Sequence, residues 1–218
     1  MISTGVHAAD KEKDHGAPLF DLSLYLAPPP DQDGPQTKAE ITEILKLQKF
    51  RTQQIEAAVK ADAEETGFEF ADVLGADFTA AKLPKTAALL LKVHLAEGDL
   101  TDPVKDLWKR PRPYVFERKV TPCAKKSKSF SYPSGHATGG TAMAVILAHM
   151  VPEKKETILA RGLLYAEHRV WGGVHYRSDI VAGQRAGVLL AQALLNDADF
   201  MGKYKEARAE LRGVLGLK

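Results

Sequence analysis

From residue 38 onward the apolar positions of this chain recur at helical spacing. Ile41, Ile44, Leu45, Phe50, Ile55 and Val59 fall near one face of a long amphipathic helix, which the pattern carries to about Gly67. A short helix is expected over residues 69–74, and another over 85–97 with Ala88, Leu89, Leu91 and Leu95 as its apolar positions. Asp102-Pro103 reads as a new helix start, an N-cap followed by proline at the first helical position. The pattern fails from 114 to 132, a lysine-rich loop holding Pro122. It returns in three helices, 134–150, 152–170 and 178–196, and closes with a polar amphipathic helix over 199–215. Upstream, residues 1–37 are rich in Pro, Gly, Asp and Lys and read as an extended arm, with Phe20, Leu22, Leu24 and Leu26 as anchor points on the body. The alternation from Phe20 to Leu26 is too short to imply a sheet. The expected class is all-α, a compact multi-helix bundle over residues 38–218.

Small residues interrupt the apolar helices: Gly139, Gly140, Ala142 and Ala144 in one, Ala182, Gly183, Ala186 and Gly187 in another. Such positions let helix backbones approach closely, so these two helices are expected to form a central buried pair. With 218 residues and 44% hydrophobic content, one substantial core is the natural expectation. No apolar run approaches the roughly 20 residues of a membrane-spanning helix. Cys123 is the single cysteine, which excludes an internal disulfide, and it reads as a small, partly buried apolar residue. The N-terminus lacks the basic-then-apolar layout of a signal peptide, so the chain either stays in the cytosol or has already lost a leader.

The net charge of +2 is too mild to argue for a nucleic-acid partner. Its distribution says more: residues 105–128 hold nine Lys/Arg against Asp106 and Glu117, a patch that steers anions inward. The stretch 118–128 reads as a solvated loop, and Lys109 and Arg110 are expected to face solvent.

Three blocks carry the candidate chemistry: KDLWKRPRP (105–113), YPSGH (132–136) and HRVWGGVHYRSD (168–179). In the first, Lys105 and Arg112 offer a movable point charge and a rigid two-pronged donor for an oxyanion. In the second, Ser134, Gly135 and His136 open a helix, whose free N–H groups and partial positive charge suit a phosphate. Ser134 serves equally as a plain N-cap, and His136 in the first turn can donate a proton to a leaving oxygen. In the third, His175 and Asp179 are four apart and share a helical face. The carboxylate can hold one ring nitrogen as N–H and leave the other as a lone-pair nucleophile. Arg169 ends the preceding helix and aims at the same turn. Singly, each block has an ordinary reading: a helix-surface pair, a helix cap, a basic loop.

Jointly, K-x6-R-P, P-S-G-H and R-x5-H-x3-D resemble the signature of the type 2 phosphatidic acid phosphatase and vanadium haloperoxidase superfamily. Nineteen residues separate Pro113 from Pro133 and 32 separate His136 from Arg169, in the family's order. The Leu-Ala-Pro-Pro-Pro stretch at 26–30, Ser-Tyr-Pro-Ser-Gly-His at 131–136 and the C-terminal helices are similar to bacterial class A non-specific acid phosphatases. That resemblance implies the superfamily's mainly helical fold, a periplasmic or secreted location, and hydrolysis of small phosphomonoesters without a metal or other cofactor. It implies His175 as a nucleophile that becomes phosphohistidine, Asp179 as its orienter and His136 as the acid. Lys105, Arg112, Ser134, Gly135 and Arg169 would grip the phosphate oxygens. His168 departs from the family's serine at that position, which is expected to alter the pH profile and substrate range. No membrane span or nucleic acid is implied, and a homo-oligomer is compatible.

The cycle needs His175 neutral and His136 protonated, with Asp179 favouring the cation at His175 and phosphate favouring it at His136. An acidic to near-neutral optimum is the expectation, with vanadate as an inhibitor. Open alternatives are a vanadium-dependent haloperoxidase, a soluble lipid or pyrophosphate phosphatase, and a helical protein that only captures phosphate. Trp108, Trp171, Tyr114 and Tyr132 neighbour the motifs and are candidates for pocket walls. His7, His15, His94 and His149 match no block.

Overall fold

A computed structural model describes residues 18–217. Every regular element among them is an α or 3-10 helix, and no strand occurs among the described residues. The first part of the expected arm, with His7 and His15, lies outside them. The arm's described portion is not simply extended. Asp21 accepts the Ser23 N–H and caps a 3-10 turn over Leu22–Leu24. Leu22 and Leu26, one helical turn apart, are buried in the main core, while Leu24 points away and is 79% exposed.

The long first helix is two: α1 (Pro35–Lys49) and α2 (Gln53–Ala61). The break falls where Thr52 caps α2 through the Ile55 N–H. Arg51 turns inward there to donate to the carbonyls of Trp171 and Thr121. A capping threonine outweighed the continuous apolar pattern. A 3-10 turn over Phe68–Phe70 and the short α3 (Ala71–Leu74) come next.

The opposite error occurs in the following helix. Residues 84–108 form one helix, α4 (Pro84–Trp108), with Pro103 inside it rather than at a new start. The buried stripe runs through Leu89, Leu90, Val93, Leu100 and Val104, which carries the helix through the proline. Leu91 and Leu95, expected on the apolar face, are 56% and 58% exposed. α4 stops at Lys109, whose φ of 48° is left-handed. A short α5 (Pro113–Phe116) interrupts the loop beyond. The remaining helices lie within a few residues of expectation: α6 (Gly135–Met150), α7 (Lys155–Trp171), α8 (Arg177–Asn196) and α9 (Ala198–Val214).

α6 is buried on nearly all sides, as a helix apolar all round must be. It packs mainly between α7 and α8. The close pairing with α8 needs glycine: a Cβ at Gly187 would sit 2.5 Å from the Thr138 carbonyl oxygen. This packing brings the N-termini of α6 and α8 to the same place as the C-terminal turns of α4 and α7. Two helix ends rich in free N–H groups meet two ends carrying Lys105 and Arg169. No described helix is long and apolar enough to cross a membrane.

Candidate active site

The turn after α4 builds the first wall. Beyond left-handed Lys109, the Arg-Pro-Arg-Pro run is held near extended geometry by its prolines, with Arg112 at φ −70° and ψ 156°. Arg110 and Arg112 are both buried there, which corrects the expectation that Arg110 is solvent-facing. Arg110 is 2% exposed. Its guanidinium donates to Asp179 Oδ1 (2.6 Å), Glu40 Oε2 (3.0 Å) and Ser178 Oγ (2.7 Å), and lies 3.8 Å from the Tyr176 ring centre.

The third block closes as its spacing suggested. His175 Nδ1 lies 3.1 Å from Asp179 Oδ2, which also accepts the Tyr176 N–H (2.9 Å) and the Ser131 hydroxyl. The bond to the N-cap N–H is the reach of an acid at the third helical position. With Nδ1 committed as a donor, Nε2 keeps its lone pair, and Arg112 Nη1 stands 3.0 Å from it. Arg112 is fixed by donating to the Ser129 carbonyl (2.8 Å), the Ser129 hydroxyl (3.0 Å) and the Val174 carbonyl (3.1 Å).

These groups surround a cavity of about 760 Å³, whose lining includes Lys105, Arg112, Gly135, His136, Arg169 and His175. Arg169 is buried, and its Nε has no partner. Lys105 Nζ donates to Asp102 Oδ1 at 2.9 Å. Gly135 must be glycine, because a Cβ there would lie 2.5 Å from Glu97 Oε1. Ser134 and Asp179 stand behind the lining. The Ser134 oxygen accepts the Ala137 N–H at 3.2 Å as the cap of α6, and its own N–H donates to the Asp179 carbonyl at 3.1 Å. Lys125 and Lys126, exposed on the solvated loop expected over 118–128, also border the cavity. Tyr114 holds that loop in place by donating to the Ser127 carbonyl at 2.8 Å. Trp108, Trp171, Tyr114 and Tyr132 are absent from the described lining.

Sequence reasoning missed the residues that hold His136. Residues 62–66, after α2, form a strap from which Ala63 and Glu65 line the cavity. Glu65 Oε1 is 2.9 Å from His136 Nδ1, and the Ala63 carbonyl is 3.1 Å from Nε2. Both partners are acceptors, so both contacts are hydrogen bonds only when the ring carries two protons. The strap is pinned from α7: Arg161 donates to both Asp62 oxygens, His168 Nδ1 lies 2.6 Å from Asp62 Oδ2, and the Tyr165 hydroxyl donates to the Glu64 carbonyl at 2.6 Å. His168 thus faces Asp62, outside the described cavity lining.

A family model described as the PAP2 superfamily matches residues 86–200, a span holding all three motif blocks but not the strap. The chain belongs to the PAP2 superfamily. Within it, the chain is 32% identical over 206 residues to an acid phosphatase of Zymomonas mobilis, covering 90% of this chain and 76% of that one. It is 30% identical over 198 residues to a non-specific acid phosphatase of Salmonella typhimurium, covering 86% and 79%. Among solved structures, a bacterial vanadium-dependent iodoperoxidase superposes with TM-score 0.59 at 17% identity, covering 84% of this chain and 53% of that one. A transmembrane PAP2-type phosphatidylglycerolphosphate phosphatase of Bacillus subtilis superposes with TM-score 0.51 at 19% identity, covering 80% and 89%. These two show a shared fold.

In this PAP2 site, burial pushes the His175 ring well below its ordinary pKa, reinforced by Arg112, Arg169, His136 and Lys105. Burial and these cations outweigh the pull toward a cation expected from Asp179. Asp179 is itself engaged by Arg110, and burial still pushes its carboxyl up to about 6. Burial likewise lowers Arg112 and Arg169. Burial tends to raise Glu65, but the hydrogen bond and charge of His136, then His94 and Arg169, bring it down to about 2. Glu65, His94 and Glu97 offer ligand atoms within 4.8 Å of one another, the one such group among the described residues. Glu65 is already paired with His136, and Glu97 accepts from Thr101. A cation there would compete with those partners.

Replacing Arg110 with Met leaves Asp179 and Glu40 buried without their shared cation. Breaking such a pair costs about 3–5 kcal/mol. The expected outcome is a large drop in melting temperature and weakened turnover, read by calorimetry and steady-state kinetics.

Proposed function

We propose that this acid phosphatase works through a phosphohistidine on His175, without a metal. The supporting observation is the orientation of His175: Nδ1 is fixed on Asp179, so the Nε2 lone pair faces a cavity where the buried Arg169 Nε lacks an acceptor. A phosphate placed there would accept from Arg169, Arg112 and Lys105 and from N–H groups at the α6 N-terminus. The Ser134 hydroxyl, whose oxygen already accepts from Ala137, keeps its hydrogen to donate. Arg112 would move its N–H from His175 Nε2 to a phosphate oxygen, freeing the nucleophile. Phosphoryl transfer needs mainly such positioning and charge stabilisation of the equatorial oxygens.

In the first step the bond from His175 Nε2 to phosphorus forms, the ester P–O bond breaks, and His136 shifts its Nε2–H from the Ala63 carbonyl to the departing alcohol and gives it that proton. In the second, His136 takes a proton from water, whose oxygen bonds to phosphorus while the N–P bond breaks. Inorganic phosphate leaves. Depressed basicity keeps His175 unprotonated in acid, which supports work below neutrality.

His175→Asn is expected to lower turnover of p-nitrophenyl phosphate by about three orders of magnitude or more. It should also abolish phosphoprotein trapped by an alkaline denaturing quench. Wild type should be insensitive to EDTA, inhibited by vanadate, and inactive in halide oxidation with peroxide and vanadate. EDTA-sensitive turnover or an active His175→Asn protein would contradict the mechanism.

The Glu65–His136 pair gives a second prediction. A carboxylate with its pKa lowered to about 2 is ionised above that value, so its stabilising contact is present across the acid range. It fades only as pH falls from the unfolded carboxylate range through about 2. Glu65→Gln should reduce kcat/KM by about tenfold or more, with the deficit growing as pH rises from 5 to 7. A pH-independent deficit would count against Glu65 as the partner that positions His136.

A further inference from the structure

Beside the phosphate cavity lies a second hollow of about 850 Å³. Its walls include Phe68, Ala71, Phe78, Ala80, Ala87 and Leu91, with the Phe68 and Phe78 rings 4.9 Å apart. Ala63, Glu65 and His94 line both hollows. Two of these three residues hold His136, through the Ala63 carbonyl and the Glu65 carboxylate. His136 itself lines the phosphate cavity, and the residues that hold it form part of the wall shared with the apolar hollow.

α4 supplies a second, independent sign. Ala87, Leu91 and Leu95 fall at spacings of four, on one face of that helix. Leu91 lines the apolar hollow and Leu95 the phosphate cavity, and both are more than half exposed. Large exposed leucines aligned along a path between two hollows mark a surface built for an apolar ligand.

We propose that this hollow receives the alcohol half of the substrate, and that the preferred substrates are phosphomonoesters of uncharged apolar alcohols. The proposal rests on the phosphatase reading above. Each methylene moved from water into apolar surroundings favours binding by about 0.8 kcal/mol. In a hollow open to solvent, lengthening an alkyl phosphate from ethyl to hexyl should raise kcat/KM by about tenfold or more.

The test is kcat/KM for ethyl, butyl and hexyl phosphate, phenyl phosphate and glucose 6-phosphate. It is run on wild type and Leu91→Asp, with the Ki of inorganic phosphate measured for each. Expected are a rise with chain length, phenyl phosphate well above glucose 6-phosphate, and loss of most of the chain-length gain in Leu91→Asp with the phosphate Ki unchanged. Leu91 is more than half exposed, so the substitution is compatible with folding, and a matching melting temperature checks this. Turnover independent of chain length, a preference for glucose 6-phosphate, or an undiminished gain in Leu91→Asp overturns the hollow as an alcohol site while leaving the phosphatase reading standing. Absence of turnover on every ester overturns both.

Discussion

The arrangement depends on one buried carboxylate. Asp179 has four donors: Arg110, the Ser131 hydroxyl, the Tyr176 N–H and the His175 ring. Through them a single side chain ties the turn after α4, the loop before α6, the entry to α8 and the His175 imidazole into one unit. Removing a carboxylate from water costs several kcal/mol, and Arg110 offsets that penalty at 2.6 Å. Arg110 in turn reaches Glu40 on α1. The orientation of His175 is thus anchored in the packing of α1 against the rest of the molecule. An imidazole fixed in this way needs no reorientation when substrate arrives, the kind of pre-organisation that lowers a barrier.

His136 is supported differently. Its partners sit on residues 62–66, a strap without regular structure, held by side chains from α7. Arg161 and His168 converge on Asp62, whose carboxyl burial would raise but which these two neighbours lower. His175, in the turn before α8, is thus held by a buried carboxylate of the core, whereas His136, in the first turn of α6, is held by a pinned loop. His168, which departs from the family's usual serine, belongs to the second arrangement. Its influence on the site runs through Asp62 and the strap, not through contact with the phosphate cavity.

Much of this was legible in the sequence where local rules act alone. Helices α6 to α9 follow from apolar spacing, and the glycines of α8 announce its close contact with α6. The three motif blocks do converge on one cavity, because packing α6 between α7 and α8 brings the right helix ends together. Other features depended on rules that compete. Thr52 ended a helix that apolar spacing would have continued, and the buried stripe of α4 carried it through Pro103. Arg110 was misplaced because its charge suggested solvent, whereas its buried partners Asp179 and Glu40 lie 69 and 70 residues away along the chain. Glu65 had no signal at all. It lies outside the family-matched span and at no helical spacing from His136, and only the tertiary path of the strap brings it there. Leu91 and Leu95 were apolar by spacing and exposed by packing; Leu91 lines the second hollow and Leu95 the phosphate cavity.

The central claim is that Lys105, Arg112 and Arg169 grip one tetrahedral anion while His175 Nε2 stands in line behind it. A crystal structure of the protein soaked with orthovanadate tests this directly. The account predicts vanadium bonded to His175 Nε2, with its oxygens accepting hydrogen bonds from those three cations and from the first turn of α6. Vanadate bound away from His175, or the Lys105 and Arg112 side chains turned from it, would contradict the account.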